Sequence, residues 1–327
     1  MKENLARRLG AAALLVAASL LVPDAAAQSW PTRPIRLVVG FAPGGAADTV
    51  GRAFADSLSR ALGQPVVVEN RAGAGSSIAA EMVAKSPPDG YTVLIASPAS
   101  ISVNPALNPK LGYKPSDLAP VTKVTTSPLL IVVNPATGIA SVQDLIREAK
   151  KTPGRLNYAT SGVGSAPHFG AALFTQVTGT EMVHVPFKGG APAVTSVVAG
   201  DTQVTFATPP SVLPMVKAGR LRALAVTSPE RSPLMPEIPG MVEAGLPEYS
   251  LSFWYGLFVP AGTPSDVVGK IFDAATIAGR QPQVKATLAL EGTEVSLSKS
   301  PEAFAAFLAQ DEKLWVRLAK ESGAKAE

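Results

Sequence analysis

The chain has 327 residues, 46% of them hydrophobic, with 29 Lys and Arg against 25 Asp and Glu. That length suffices for two domains, and the small positive surplus, spread without a basic run or aromatic interleaving, argues against nucleic-acid binding. With no cysteine and only two histidines, the chain has no disulfide, zinc–thiolate site or cysteine nucleophile, and no cofactor is expected.

Taken in chain order, residues 1–27 have the form of a secretory signal. Lys2, Arg7 and Arg8 precede the apolar run Leu9 to Val22, and Ala25-Ala26-Ala27 supplies the small-residue cleavage site. The apolar run is short for a membrane span. The expectation is therefore a soluble, exported and periplasmic protein without a lipid anchor. Strands are expected at residues 35–39, 66–69, 92–96, 129–133, 156–159, 182–185, 203–206 and 223–227, alternating with helical patterns, so the chain reads as α/β with largely parallel sheets. In residues 47–62, Val50, Phe54, Leu58 and Leu62 recur every four positions and give one buried stripe. Gly63 then ends that helix and Pro65 opens the next strand. A last helix starts at Ser300-Pro301-Glu302, with serine as N-cap and proline at the first helical position.

Two apolar stretches, residues 127–134 and 251–260, read as crossovers between lobes. The expected division is a discontinuous first lobe of residues 28–128 plus 251–327, and a second lobe of residues 129–250, able to close on a hinge.

One local pattern occurs twice, about 120 residues apart: an apolar strand, a glycine-rich corner and a helix start. The first is Phe41-Ala42-Pro43-Gly44-Gly45-Ala46-Ala47-Asp48 and the second Ser161-Gly162-Val163-Gly164-Ser165-Ala166-Pro167-His168. Glycine lets backbone approach a ligand closely, and a helix start presents unpaired N–H groups and a positive dipole end. Such a corner suits an anion such as a carboxylate. The alternative is a capped turn that binds nothing, and Asp48 reads as readily as a first-turn acid as it does as an acceptor for a ligand amine or hydroxyl. His168 reads as a helix-start residue making a local hydrogen bond, and His184 as a structural histidine rather than a metal ligand; no metal site is expected. Lys188, in the loop Phe187-Lys188-Gly189-Gly190, could bring charge toward an anion, although an exposed loop lysine is the ordinary reading. Ala72-Gly73-Ala74-Gly75 lacks the third glycine of a dinucleotide fingerprint, and no phosphate-loop lysine motif occurs. A hydrolase using Ser161 or Ser165 lacks a base placed by motif.

The chain resembles the periplasmic solute-binding proteins of tripartite tricarboxylate transporters, the Bug family. The resemblance rests on Trp30-Pro31-Thr32-Arg33-Pro34-Ile35-Arg36 leading into the first corner, on residues 62–71 and 87–92, and in the second half on Leu156-Asn157-Tyr158-Ala159, His184 to Gly189 and Lys217 to Thr227. It implies a two-lobed Venus-flytrap fold, two parallel or mixed sheets flanked by helices. It also implies a non-catalytic shuttle that hands a small carboxylate, a di- or tricarboxylate or an aromatic or aliphatic acid, to membrane permease subunits, a monomer being the default for a diffusing shuttle; the alternative is a ligand-dependent sensor docking on a membrane receptor. Carried onto this chain, the ligand-binding residues are Phe41, Pro43, Gly44, Gly45, Ala46 and Asp48 in the first corner and Ser161, Gly162, Gly164, Ser165 and His168 in the second. Ser97, Lys188 and Thr208 complete the set. Three positions depart from the pattern. Ala46 stands where a third glycine is common, Ser97-Pro98-Ala99-Ser100 replaces a glycine- and threonine-rich corner, and Ala207-Thr208-Pro209-Pro210 replaces a strand end that usually carries Asp or Asn. Loss of that acid leans the expectation toward a ligand whose distal end is less polar than an amino acid.

Overall fold

A computed structural model describes residues 30–321 apart from Ala42, Gly45, Pro109, Lys188, Gly189 and Glu291; the signal segment expected at residues 1–27 lies outside the described residues. In β1 (Ile35–Val39) every residue but Arg36 is buried. It runs into α1 (Ala46–Leu62), on which Val50, Phe54 and Leu58 are buried. That is the expected four-residue stripe, with Leu62 half-buried at its end. Fully burying a side chain such as Phe54 stabilises by about 2 kcal/mol. Gly63 follows with φ of 69°, the left-handed conformation that terminates a helix.

After β2 (Val66–Asn70), α2 (Ser77–Ala84), β3 (Thr92–Ala96) and the short α3 (Asn104–Leu107), the chain enters the long β4 (Leu118–Pro128). One residue later, β5 (Leu130–Val133) begins in a different sheet. There follow α4 (Val142–Lys151), β6 (Asn157–Thr160), α5 (Ala166–Thr178), β7 (Val183–Pro186), α6 (Gly190–Ala199), β8 (Val204–Ala207), α7 (Pro209–Lys217) and β9 (Arg222–Val226). The chain then returns through β10 (Ser252–Pro260), α8 (Ser265–Arg280), α9 (Pro282–Leu290), β11 (Glu294–Val295) and α10 (Pro301–Glu321).

The strand order is β11-β4-β10-β3-β1-β2 in the first sheet and β7-β6-β8-β5-β9 in the second. Both are mixed rather than largely parallel. β1 pairs in parallel with β2 and β3, and β6 with β7 and β8. β10 is antiparallel to β3 and β4, and β5 to β8 and β9. The antiparallel strands are those on either side of the two crossings, where the chain enters a sheet without a crossover helix to reset its direction.

The two crossings are stitched at one residue. The Thr227 side chain, fully buried, accepts from the Leu129 N–H (2.7 Å) and donates to the Leu251 carbonyl (2.7 Å). Its N–H donates to the Leu129 carbonyl and its carbonyl accepts from the Leu251 N–H. The last helix spans both sheets. Near its start Phe304 packs with Trp254 and Phe258 of the first sheet, while Trp315, Leu318 and Ala319 join the core formed by Phe169, Phe174 and Phe206 of the second. Ser300 caps the helix as expected, accepting from the Ala303 N–H.

Candidate functional site

At the first corner, the side chain of Asp48 is almost fully buried and fully engaged. It accepts from the Gly44 N–H, from Arg52 Nε and from Asn70 Nδ2, each at 2.9 Å. The Arg52 bond, aided by the Gly44 and Asn70 donors, holds its pKa down at about 2. Asn70 also donates to the Phe41 carbonyl at 3.0 Å, so one amide ties both ends of the turn. Gly44 takes φ of 80°, and Pro43 is exposed beside it. Just before the turn, a Cβ on Gly40 would lie 1.8 Å from Ser76 Oγ, so only glycine admits this approach of the loop after β2. Ser76 and Ser97, the latter just past β3, are buried with hydroxyls that lack a partner among the described residues.

At the second corner the polar groups are turned on one another. The Gly162 N–H donates to Thr160 Oγ1, and the Ser165 hydroxyl donates to the Gly162 carbonyl (2.7 Å). Ser165 caps α5 by accepting from the His168 N–H, and the Gly164 N–H donates to His168 Nδ1 at 3.1 Å. This is the local bond expected of a helix-start histidine. The His168 ring stacks on His184 at 4.3 Å, and His184 on Tyr158 at 5.0 Å. His184 Nε2 is 2.7 Å from Thr160 Oγ1, which joins the stack to the corner. Burial, with the neighbouring imidazole adding to it, pushes the His168 pKa down to about 4, and burial lowers that of His184 as well. Both rings are therefore neutral near pH 7, and the corner is built from dipoles rather than charge.

Between the sheets lies a cavity of ≈ 170 Å³. Ala46, the first residue of α1, lines it from one side, and Ser161, Ala166 and Pro167 at the start of α5 from another. Thr208 and Pro210 at the start of α7 form a third wall. The crossing strands supply the floor through Ser127, Leu129, Phe253 and Tyr255, with Thr293 at the edge. No described lining residue is charged. Three helix starts thus converge on one uncharged space, each contributing a positive dipole end. A smaller cavity of ≈ 140 Å³ shares Ser161, Pro167 and Thr208 and continues toward α6. On the opposite side, Val163 and Gly164 meet Ala74, Gly75 and Asn104 of the first sheet's loops across a further crevice.

Of the residues expected from sequence, Ala46, Ser161 and Thr208 reach the inter-sheet cavity. Gly44 and Asp48 line instead an open groove along the outside of α1, beside Arg52 and Arg60. Gly45 and Lys188 lie outside the described residues. Sequence reasoning passed over Asn70, Arg52, Phe253 and Tyr255 as parts of the site. The first two showed no signal as single polar residues, but the aromatic pair, two apart in a strand that crosses between lobes, was a visible one.

Residues 50–324 match the family model described as tripartite tricarboxylate transporter family receptor. The chain belongs to that family. It is a solute-binding protein, 35% identical to Protein BugT of Bordetella pertussis over 324 residues, which is 98% of this chain and 99% of that one. Among solved structures it is similar to Rpa4515 of R. palustris with adipate, at 34% identity and a TM-score of 0.78, covering 90% of this chain and 99% of that one. It is also similar to MatC of Rhodopseudomonas palustris with bound malate, at 30% identity and a TM-score of 0.74, covering 89% and 100%. These neighbours share the two-lobed periplasmic-binding-protein architecture seen in the two sheets. Among the described residues no helix is long and apolar enough to cross a membrane.

Proposed function

We propose that this receptor captures a small carboxylate in the cavity between its sheets, in the periplasm, and hands it to the membrane permease of a tripartite transporter. The observation that carries this reading is the convergence of Ala46, Ser161 with Ala166, and Thr208 with Pro210, at three helix starts, on one cavity without charged walls. A helix start favours an anion through its dipole, and those of α1 and α5, which open on alanine, through an N–H as well. The remaining corner residues then act by shape. Phe41, Pro43, Gly44 and Asp48 fix the first turn, and Gly162, Gly164, Ser165 and His168 the second, while Ser97, whose hydroxyl has no partner among the described residues, follows β3. Residues 28–128 with 251–327 would form one lobe and residues 129–250 the other, closing about Leu129 and Leu251, with one copy of the chain per ligand.

The reading is non-catalytic. The Ser165 hydroxyl donates to a backbone carbonyl rather than to an imidazole, and His168 Nδ1 already accepts from Gly164. Adipate and malate in the related structures support a carboxylate as the ligand class.

The test is a thermal-shift screen of the purified chain, unfolded and refolded to remove carried-over ligand, against mono-, di- and tricarboxylates, amino acids and sugars. A ligand binding only the folded state adds about 2.7 kcal/mol at a hundredfold excess over Kd. Shifts confined to carboxylates are expected. Shifts with sugars and none with any acid would overturn the reading.

A further inference from the structure

Resting on that reading, we infer that the ligand is a monocarboxylate with an apolar body of about six carbons, and that the cavity discriminates against a second carboxylate. Beyond Ala46 and Ser161 the walls of the cavity are largely apolar. Phe253 and Tyr255 lie two apart on β10 and so share one face. Their rings meet edge to face at 5.5 Å, and Phe253 is braced in the same way by Trp315 at 6.0 Å. With Leu129, Pro167 and Pro210 they make an apolar wall.

Two of the hydroxyls of that region, those of Ser127 and Thr208, are already engaged. Ser127 Oγ lies 3.4 Å from the carbonyls of both Pro128 and Gly292 and donates its one hydrogen between them. Thr208 Oγ1 lies 3.3 Å from Ser211 Oγ, which itself donates to the Thr208 carbonyl at 2.7 Å. Proline also removes donors where a helix start would otherwise supply them. Pro209 and Pro210 occupy the first two positions of α7 and Pro167 the second of α5, and none has an N–H. A second carboxylate seated here would lose its water and gain neither cation nor full set of donors among the described residues, which is costly. An apolar body meets no such cost, and a dry cavity of about 150 Å³ is known to hold a benzene-sized molecule, against ≈ 170 Å³ here.

Hexanoate and adipate have the same six carbons and differ only at the distal end, so they isolate the question. Calorimetric titration of the refolded chain is expected to give a Kd for hexanoate at least tenfold below that for adipate, with benzoate nearer hexanoate. Phe253→Ala is expected to raise the hexanoate Kd about tenfold. Pro210→Ala, which restores a helix-start N–H, is expected to narrow the hexanoate–adipate ratio several-fold. Adipate or malate binding as tightly as hexanoate would overturn this inference and leave carboxylate capture standing. Should Phe253→Ala fail to fold, the wild-type ratio decides alone. Binding of no acid would overturn both.

Discussion

Single residues at the two corners illustrate a division between groups that build a turn and groups that face the cavity. Asp48 and His168 read in sequence as possible ligand contacts, and each also serves its own turn, Asp48 through both carboxylate oxygens and His168 through Nδ1; the physical consequences differ. The Asp48 carboxylate serves three donors, and an amide in its place must turn an NH2 toward one of them. Asp48→Asn is therefore expected to destabilise the fold by about 1–3 kcal/mol at pH 7. Its pKa is depressed to about 2, so its contribution is full above the unfolded value near 3.8 and disappears as pH falls through 2. Chemical denaturation at pH 7 and pH 2 checks this, the two proteins converging at the lower value. For His168 the folded state resists protonation, with a pKa near 4 against an ordinary 6.5. Stability is therefore full above pH 6.5 and falls between 6.5 and 4, by about 3 kcal/mol from this residue. His168→Asn is expected to flatten that part of the stability–pH profile in thermal melts. Ser161, by contrast, looked like one polar residue among several, and only the folded geometry separates it from Ser165.

Individual elements explain which parts of the fold were legible. The stripe on α1 and the cap of α10 follow rules local to a few residues, and both stand where the sequence placed them. β4 escaped notice because Pro120, Lys123 and Pro128 interrupt its pattern, and because its partners β10 and β11 lie more than 120 residues away. β7 begins one residue later than expected, at Val183, a boundary set by pairing with β6 rather than by composition. The mixed sense of the sheets was hidden for the same reason, since strand direction depends on how the crossings are threaded. The crossings themselves rely on Thr227. Thr227→Val keeps the shape but strands the Leu129 N–H and the Leu251 carbonyl in a dry environment, and is expected to cost about 1–3 kcal/mol in urea unfolding. α10 joins the sheets and carries a half-buried acid at its middle. Asp311 accepts from Trp254 Nε1 at 2.6 Å, and burial raises its pKa to about 6 despite the nearby Lys123. Its sign is opposite to that of Asp48. Stability from the protonated form is full below about 3.8 and lost as pH rises through 6. Asp311→Asn should accordingly raise the midpoint of thermal unfolding at pH 8 and leave it little changed at pH 4, a gain of about 1–3 kcal/mol.

At the scale of the whole molecule, the two sheets meet around a cavity whose walls come from six separate parts of the chain. The corners were legible because glycines and a helix start, joined in the second by the capping hydroxyl of Ser165, fall within eight consecutive residues. The floor was not, because Leu129, Phe253 and Tyr255 come together only through the two crossings. In the proposed reading, selectivity sits in that floor, while the attraction for an anion sits in the helix starts above it. The central claim is that a carboxylate occupies this space, and the most direct measurement is a crystal structure of the refolded chain with the acid that most raises its thermal midpoint. The account predicts carboxylate density between the start of α1 at Ala46 and Ser161 at the start of α5, with its oxygens within hydrogen-bonding reach of both. Density in the groove beside Asp48 and Arg52 instead, with the inter-sheet cavity holding only water, would contradict it.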